Sequence, residues 1–244
     1  AIAWISVASF VYYNTQVLNP YFSSDTSEKL SADYEKKYSK YKAIVSPKVT
    51  DTKYYIDIFP EERNIHVKAE IELTNESGKV IDSLHFYTNK DWDTNLVIPN
   101  AKSVYKDSTY LLTIYKLSPA LQPGEKLTMI VNNKYITKGF KNNRGSTMVV
   151  KNGTFFNNSD ILPIIGYNAN YELSDKNTRK KYDLPEKDRM PELTSGVTDL
   201  HMDSAMFEGL SDFINVETVI STTANQTAIA PGSLIKTWEE NDRS

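Results

Sequence analysis

The sequence predicts an all-β fold, an antiparallel sandwich or saddle preceded by two helical segments. Three observations carry this expectation. From Val49 the hydrophobic period changes to two. Short strand-like runs then recur with Gly, Pro and Asn punctuation between them. The 16 tyrosines suit pleated, half-buried surfaces.

Bulk properties narrow the class. A chain of 244 residues makes one large domain or two small ones. With 40% hydrophobic and 24% charged residues it has an ordinary globular composition. A net charge of −3 gives no basic footprint, which argues against nucleic acid as a main partner. Cysteine is absent, so disulfides and thiolate metal sites are excluded and the redox compartment stays open. The sequence starts with Ala and ends in the polar run EENDRS, and it reads as a piece of something longer.

Residues 1–13, AIAWISVASFVYY, are apolar, and no charged side chain occurs before Asp25. The run is shorter than the roughly 20 residues a bilayer span needs. Residues 1–17 are therefore read as the C-terminal end of a transmembrane helix, with Tyr12 and Tyr13 at the interface. A signal-peptide core or a buried helix is the alternative, and the first lacks a basic flank and a cleavage site. No Lys or Arg follows directly, which favours the non-cytoplasmic side for the rest of the chain. Residues 18–48 are expected to form a linker. Within it, residues 26–43 read as a solvated stalk helix capped by Ser27, with Leu30, Tyr34, Tyr38 and Tyr41 as a narrow stripe.

Residues 49–235 are assigned to the sandwich. Ile65, Val67, Ala69, Ile71 and Leu73 alternate with His66, Lys68, Glu70 and Glu72, the pattern of a hairpin with one wet face. Strands follow at about 83–87, 96–98, 103–105, 110–117 and 126–136, the last preceded by a Gln-Pro-Gly-Glu turn. Residues 142–145 read as a turn and 147–151 as a strand. A long loop-and-helix insertion is expected over about 152–212, with Ser174 or Asp175 capping a short helix that runs to Tyr182. Residues 184–193 form a charged loop bounded by prolines. Residues 213–222 and 226–229 suggest a closing hairpin, and 236–244 begin a following part.

The stretch NGTFFNNSDILPIIGYN at 152–168 is apolar yet irregular, because Pro163 cannot donate to a ladder and restrains Leu162. With the ELSDKNTRKKYDLPEKDRMPEL that follows, the PGEKL turn, the ITKGF strand end and FINVETVISTTANQTAIAPG, it resembles bacterial proteins that fuse an ABC-transporter permease to an M1-family zinc aminopeptidase ectodomain. The resemblance runs from about Asn14 onward. It implies a large saddle-like N-terminal β domain and a location at the bacterial inner membrane, extracytoplasmic side. It also implies zinc-assisted removal of N-terminal residues from peptides by a catalytic domain downstream. The family's zinc motif and G-x-M-E-N motif belong to that domain, so no cofactor is expected in this chain. The partners implied are the downstream peptidase domain, the membrane and a peptide substrate. In the family a Gln or Glu, usually one strand before the 152–168 block, binds the substrate amine. The matching segment here, STMVVK at 146–151, has neither. That departure keeps a second reading open, a binding or gating ectodomain with an inactive peptidase part.

The chain's own chemistry is sparse. His66, His85 and His201 have no metal-ligand spacing, and no H-E-x-x-H, G-x-S-x-G or P-loop occurs. Each histidine reads as a surface or packing residue. Asp91-Trp92-Asp93 reads as a turn around a packed Trp rather than a cation site. No catalytic, cofactor or metal residue is therefore assigned. The candidate site is a domain-docking loop made of Phe155, Phe156, Ile161, Leu162, Ile164 and Ile165, which carry more apolar surface than a solvated loop tolerates. Some of it must pack on the sandwich. Ile164 and Ile165 are expected to be largely exposed, as a face completed by the catalytic domain. For the two Phe, burial under the chain's own strands is the equal alternative.

Overall fold

The alternation from Val49 folds into an antiparallel hairpin of β1 (Lys48–Phe59) and β2 (Asn64–Thr74). The structure is a computed structural model that describes residues 1–142, 148–187, 214–240 and 242–243. Successive side chains of a strand point to opposite faces. Ile65, Val67, Ala69, Ile71 and Leu73 accordingly lie in the core, while Lys68 is exposed and His66, Glu70 and Glu72 are partly so.

The next strands are β3 (Ile81–Tyr87), β4 (Trp92–Val97), β5 (Ala101–Asp107), β6 (Leu112–Leu121) and β7 (Lys126–Ile136). The turn into β7 closes through the Glu125 N–H donating to the Gln122 carbonyl at 3.0 Å, with Gly124 at φ +80°. β8 (Val149–Val150) and β9 (Gly153–Thr154) make a minimal hairpin, and β10 (Ile164–Ile165) adds to β3. β11 (Asn215–Ser221) returns to the first strand.

Two sheets result, ordered β11-β1-β2-β7-β4 and β10-β3-β6-β5. Their facing sides enclose the main core, with Ile56, Val67, Ile71, Met129 and Val131 from one and Leu84, Phe86, Leu117 and Leu121 from the other. Among the described residues every strand pairing is antiparallel except one. β11 runs parallel to β1, Asp51 opposite Asn215 through Asp57 opposite Ser221. The expected closing hairpin does not form. Residues 227–230 are irregular, and the chain is held instead by a bridge between Thr223 and Arg243. Residues 143–147 and 188–213, which include most of the expected 142–145 turn and 184–193 loop, lie outside the described residues.

The helical part departs further from expectation. α1 (Ile2–Tyr12) has no buried residue, and a wider π-type turn over Tyr13–Leu18 continues it. Among the described residues no helix is long and apolar enough to cross a membrane. α2 (Ser24–Tyr38) begins one turn earlier than read, because the Ser23 hydroxyl accepts the Thr26 N–H at 3.2 Å. It is not a solvated stalk. Tyr34 and Tyr38 are at most 2% exposed and pack with Tyr87, Leu112 and Ile114 on the outer face of the second sheet. The stripe was legible as amphipathic, but its partner was not, since Lys and Glu on both sides mimic a wet helix. The rings of Tyr38, Tyr87, Tyr110, Tyr167 and Tyr171 lie 5.2–5.8 Å from that of Tyr34. Such contacts, four tilted or edge-on and one stacked, add about 0.5–1.5 kcal/mol each beyond burial.

Ile71 is wholly enclosed and Glu70 faces water beside Lys68. Ile71→Ala should therefore cost roughly 2–5 kcal/mol in urea denaturation, and Glu70→Ala under about 0.5 kcal/mol.

Candidate functional site

The irregular block begins with a Gly153 turn and then α3 (Asn158–Ile161), whose start is a reciprocal cap. The Asp160 carboxylate accepts the Asn157 N–H at 2.7 Å while the Asn157 side chain accepts from Asp160. This one-turn helix drives Ile161 into the main core, where it is 1% exposed. The Ile161 carbonyl is then taken by the buried Asn133 amide of β7. Pro163 breaks the helix, and Leu162 goes extended before it.

The chain next pairs with the edge of β3, Ile164 opposite Tyr87 and Ile165 opposite Phe86. The two isoleucines are half-buried rather than largely exposed. Ile165 packs on the main core and Ile164 on the tyrosine layer. Strand pairing explains the difference, since alternate residues of an added edge strand face opposite layers. Leu162 and Phe156 also lie partly buried against the main core. Phe155 alone of the six stands out, 81% exposed. The block is thus chiefly a plug for the β3 edge, and its candidate contact surface contracts to Phe155. Gly166 follows at φ +87° with Ser46 Oγ 2.8 Å from where a Cβ would sit, so the chain can turn there only without a side chain.

Beyond the plug lies an ion network that the sequence did not disclose. α4 (Lys176–Lys181) starts where the Asp175 carboxylate accepts the Thr178 N–H at 2.8 Å, as its cap residue suggested. Arg179 looks like one of a run of surface bases, yet it is 3% exposed and grips Glu35 of α2 with two hydrogen bonds of 2.8 and 2.7 Å. It also donates to the carbonyls of Leu173 and Pro185 at 2.6 and 2.8 Å. Nearby, Glu172 receives Lys42 at 2.7 Å, Lys187 at 2.9 Å and the Tyr167 hydroxyl at 2.8 Å. Burial works to raise the Glu172 pKa. The hydrogen bonds from the two lysines and the tyrosine outweigh it and hold the carboxyl down at about 2.

The residues considered for metal chemistry are scattered. His85 is buried in β3 with its ring 4.5 Å from that of Tyr41, and burial lowers its pKa. His66 lies on the outer face of the first sheet, in a cross-strand row Asp57–His66–Lys134–Asp93. That row borders a shallow cleft of about 460 Å³ with balanced charges, two carboxylates against Lys68 and Lys134. Trp92 packs on Tyr135 at 5.4 Å as expected, but only Asp91 lies in a turn, since Trp92 and Asp93 begin β4. His201 and the Ser146-Thr147 part of the expected amine-binding segment are outside the described residues. Among the described residues no group of three or more His, Asp or Glu side chains is placed to hold a metal ion.

A second feature was missed in the sequence, the contact that fixes α1. Asn14 and Thr15 are buried in the π-type turn, their side chains donating back to the Phe10 and Val11 carbonyls at 2.9 Å. Gly139 lies against Asn14 and Leu18, and a Cβ there would meet Asn14 Oδ1 at 1.9 Å. Lys138-Gly139-Phe140 is thus the seat of the helix, which the KGF motif signalled only as a strand end.

The fold places the chain among all-β domains built of two packed, largely antiparallel sheets. No protein-family description and no curated protein matches the sequence. Solved structures to which the fold is similar include an M1 zinc metallopeptidase mutant of Deinococcus radiodurans bound to a Tyr-Ser-Ala substrate, at 12% identity and a TM-score of 0.41, covering 81% of this chain and 38% of that one. A two-domain M1 zinc metallopeptidase mutant bound to L-tryptophan gives 11% identity, 81% and 38% coverage and a TM-score of 0.45. This chain spans less than two fifths of those structures.

Arg179→Leu leaves the buried Glu35 with Lys42, 3.7 Å away, as its remaining cation, and should cost about 3–5 kcal/mol. The double variant Glu35→Leu with Arg179→Leu should recover part of that loss. Glu172 titrates lower when folded than unfolded. Its contribution is therefore complete above an unfolded value near 4.3 and is lost as pH falls through about 2. Denaturation midpoints measured from pH 6 to pH 2 should drop across that window, and less so in Glu172→Gln.

Proposed function

We propose that this chain is the membrane-anchored, non-catalytic β domain of an M1-like zinc aminopeptidase joined to an ABC-transporter permease. It would wall one side of the peptide cleft and hold a downstream catalytic domain. The observation that carries the anchored scaffold is the state of α1. It is apolar and exposed on all sides, with Ile2 84% and Trp4 77% exposed, yet its base is fixed to the sandwich through Asn19, which bonds the 138–140 loop, and Asn14, which packs on Gly139. A helix with no polar face suits lipid chains, and a fixed base makes the domain follow the helix. The M1 and permease parts of this reading rest on the sequence resemblance around residues 152–168. On this reading the β domain lies on the extracytoplasmic side of the bacterial inner membrane. Phe155 is its contact with the peptidase domain.

The missing Gln or Glu in STMVVK favours a second reading, in which the peptidase part is inert and the domain binds or gates for the permease. Zinc analysis and aminoacyl hydrolysis of the protein encoded by the whole gene separate the two. The first reading expects about one zinc per chain and hydrolysis. Neither is expected from the 244-residue chain alone. Phe155→Ala should leave the stability of this chain within about 0.5 kcal/mol and lower hydrolysis by the whole protein. A whole protein without zinc or hydrolysis overturns the first reading.

A further inference from the structure

The base of α1 is ringed by aromatic and basic side chains from loops that are far apart in sequence. The Phe10 ring lies 5.9 Å from that of Phe140. The Asn19 amide donates to the carbonyls of Lys138 and Phe140 at 2.8 and 3.2 Å. Lys141 pairs with Asp91 at 2.9 Å, and Lys90, next to Asp91, lies 5.8 Å from the centroid of Phe22. These contacts join the 138–141 loop after β7, the 90–91 loop before β4 and the segment after the π-type turn into one patch. Phe22 and Phe140 are 48% and 42% exposed, and the three lysines are exposed. Lys90 and Lys138 have no carboxylate partner among the described residues, while Lys141 is neutralised by Asp91.

Chemistry at the patch changes with position along α1. No charged side chain occurs before Asp25, so the helix and its turn offer only apolar and uncharged groups. Aromatic rings and ammonium groups then appear together at the helix foot. This order, apolar and then aromatic with cationic, is that of a bilayer from acyl chains to headgroups. We propose that this end of the sandwich sits on the bilayer surface. Phe22 and Phe140 lie at headgroup level, and Lys90 and Lys138 contact the phosphates of anionic lipids. The proposal rests on the anchoring reading above. It adds which end of the domain meets the membrane and which lipid chemistry holds it. Seated this way, the domain has its β6–β7 turn at the far end of β7, pointing away from the membrane.

The absence of cysteine allows single-cysteine probes. An environment-sensitive fluorophore is placed at Ile5→Cys, Phe140→Cys or Gln122→Cys, and the chain is reconstituted in phosphatidylcholine vesicles with and without 30% phosphatidylglycerol. The expected result is lipid contact at residue 5 in both vesicles, headgroup contact at residue 140 that strengthens with phosphatidylglycerol, and an aqueous residue 122. At roughly 1 kcal/mol per lysine, Lys90→Gln with Lys138→Gln should shift the seated-to-free ratio at residue 140 about 30-fold toward free in the anionic vesicles. It should leave residue 5 unchanged. Residue 5 in lipid with residue 140 aqueous overturns the seating alone. Residue 140 seated equally well without the two lysines overturns the role of anionic lipid. An aqueous residue 5 overturns the anchoring reading, and the seating with it.

Discussion

From Leu84 to Tyr87 β3 has no wet face, and much of the structure follows from that constraint. Leu84 and Phe86 point into the sandwich, while His85 and Tyr87 point outward and are equally buried. An antiparallel sheet can leave one side to solvent, but this one must be covered on both. α2 supplies the cover with Tyr34 and Tyr38. Laying α2 flat on the sheet buries Glu35 beside them, and a buried carboxylate needs a hydrogen-bonded cation. Arg179 answers it, which obliges residues 168–187 to fold back over α2. The edge of β3 is filled by Ile164 and Ile165. Plug, helix layer and ion network are thus successive consequences of one doubly buried strand.

That logic shows which parts of the fold the sequence disclosed. Where one face was wet and one dry, as in β2 and β7, period two located strands and inward residues alike, down to Ile71 and Met129. Turn chemistry placed the Gln122–Glu125 bend and the Asp175 cap for the same local reason. The pattern failed where burial is decided by distant partners. Glu35 and Arg179 are 144 positions apart, and each sits in a charged run that reads as solvated. β11 was recognisable as a strand, but its parallel partner was not, because period two carries no information on direction.

The candidate loop shows the same division. Its apolar content correctly signalled packing, and Pro163 correctly signalled irregularity. The assignment of faces within it depended on whether the chain would add to a sheet edge, which two-residue strands do not reveal in sequence. Ile164 and Ile165 went to separate layers, and Phe155 was left as the projecting ring. The foot of α1 was concealed for a different reason. Its fixing groups are asparagines and a glycine, residues whose usual meaning is a turn, and here they make a close approach between a helix and a loop.

The parallel pairing of β11 with β1 has a consequence for biogenesis. β1 emerges from the ribosome early, and its neighbour on one side, β2, follows at once. Its other edge waits until nearly every other described element has been made, since Asp51 pairs with Asn215. Through that interval the outer rim of the first sheet is an open row of amides and carbonyls with Tyr54 and Ile56 behind it. Such a rim recruits strands from other chains. Vectorial synthesis of this domain therefore carries a long window of vulnerability at one edge.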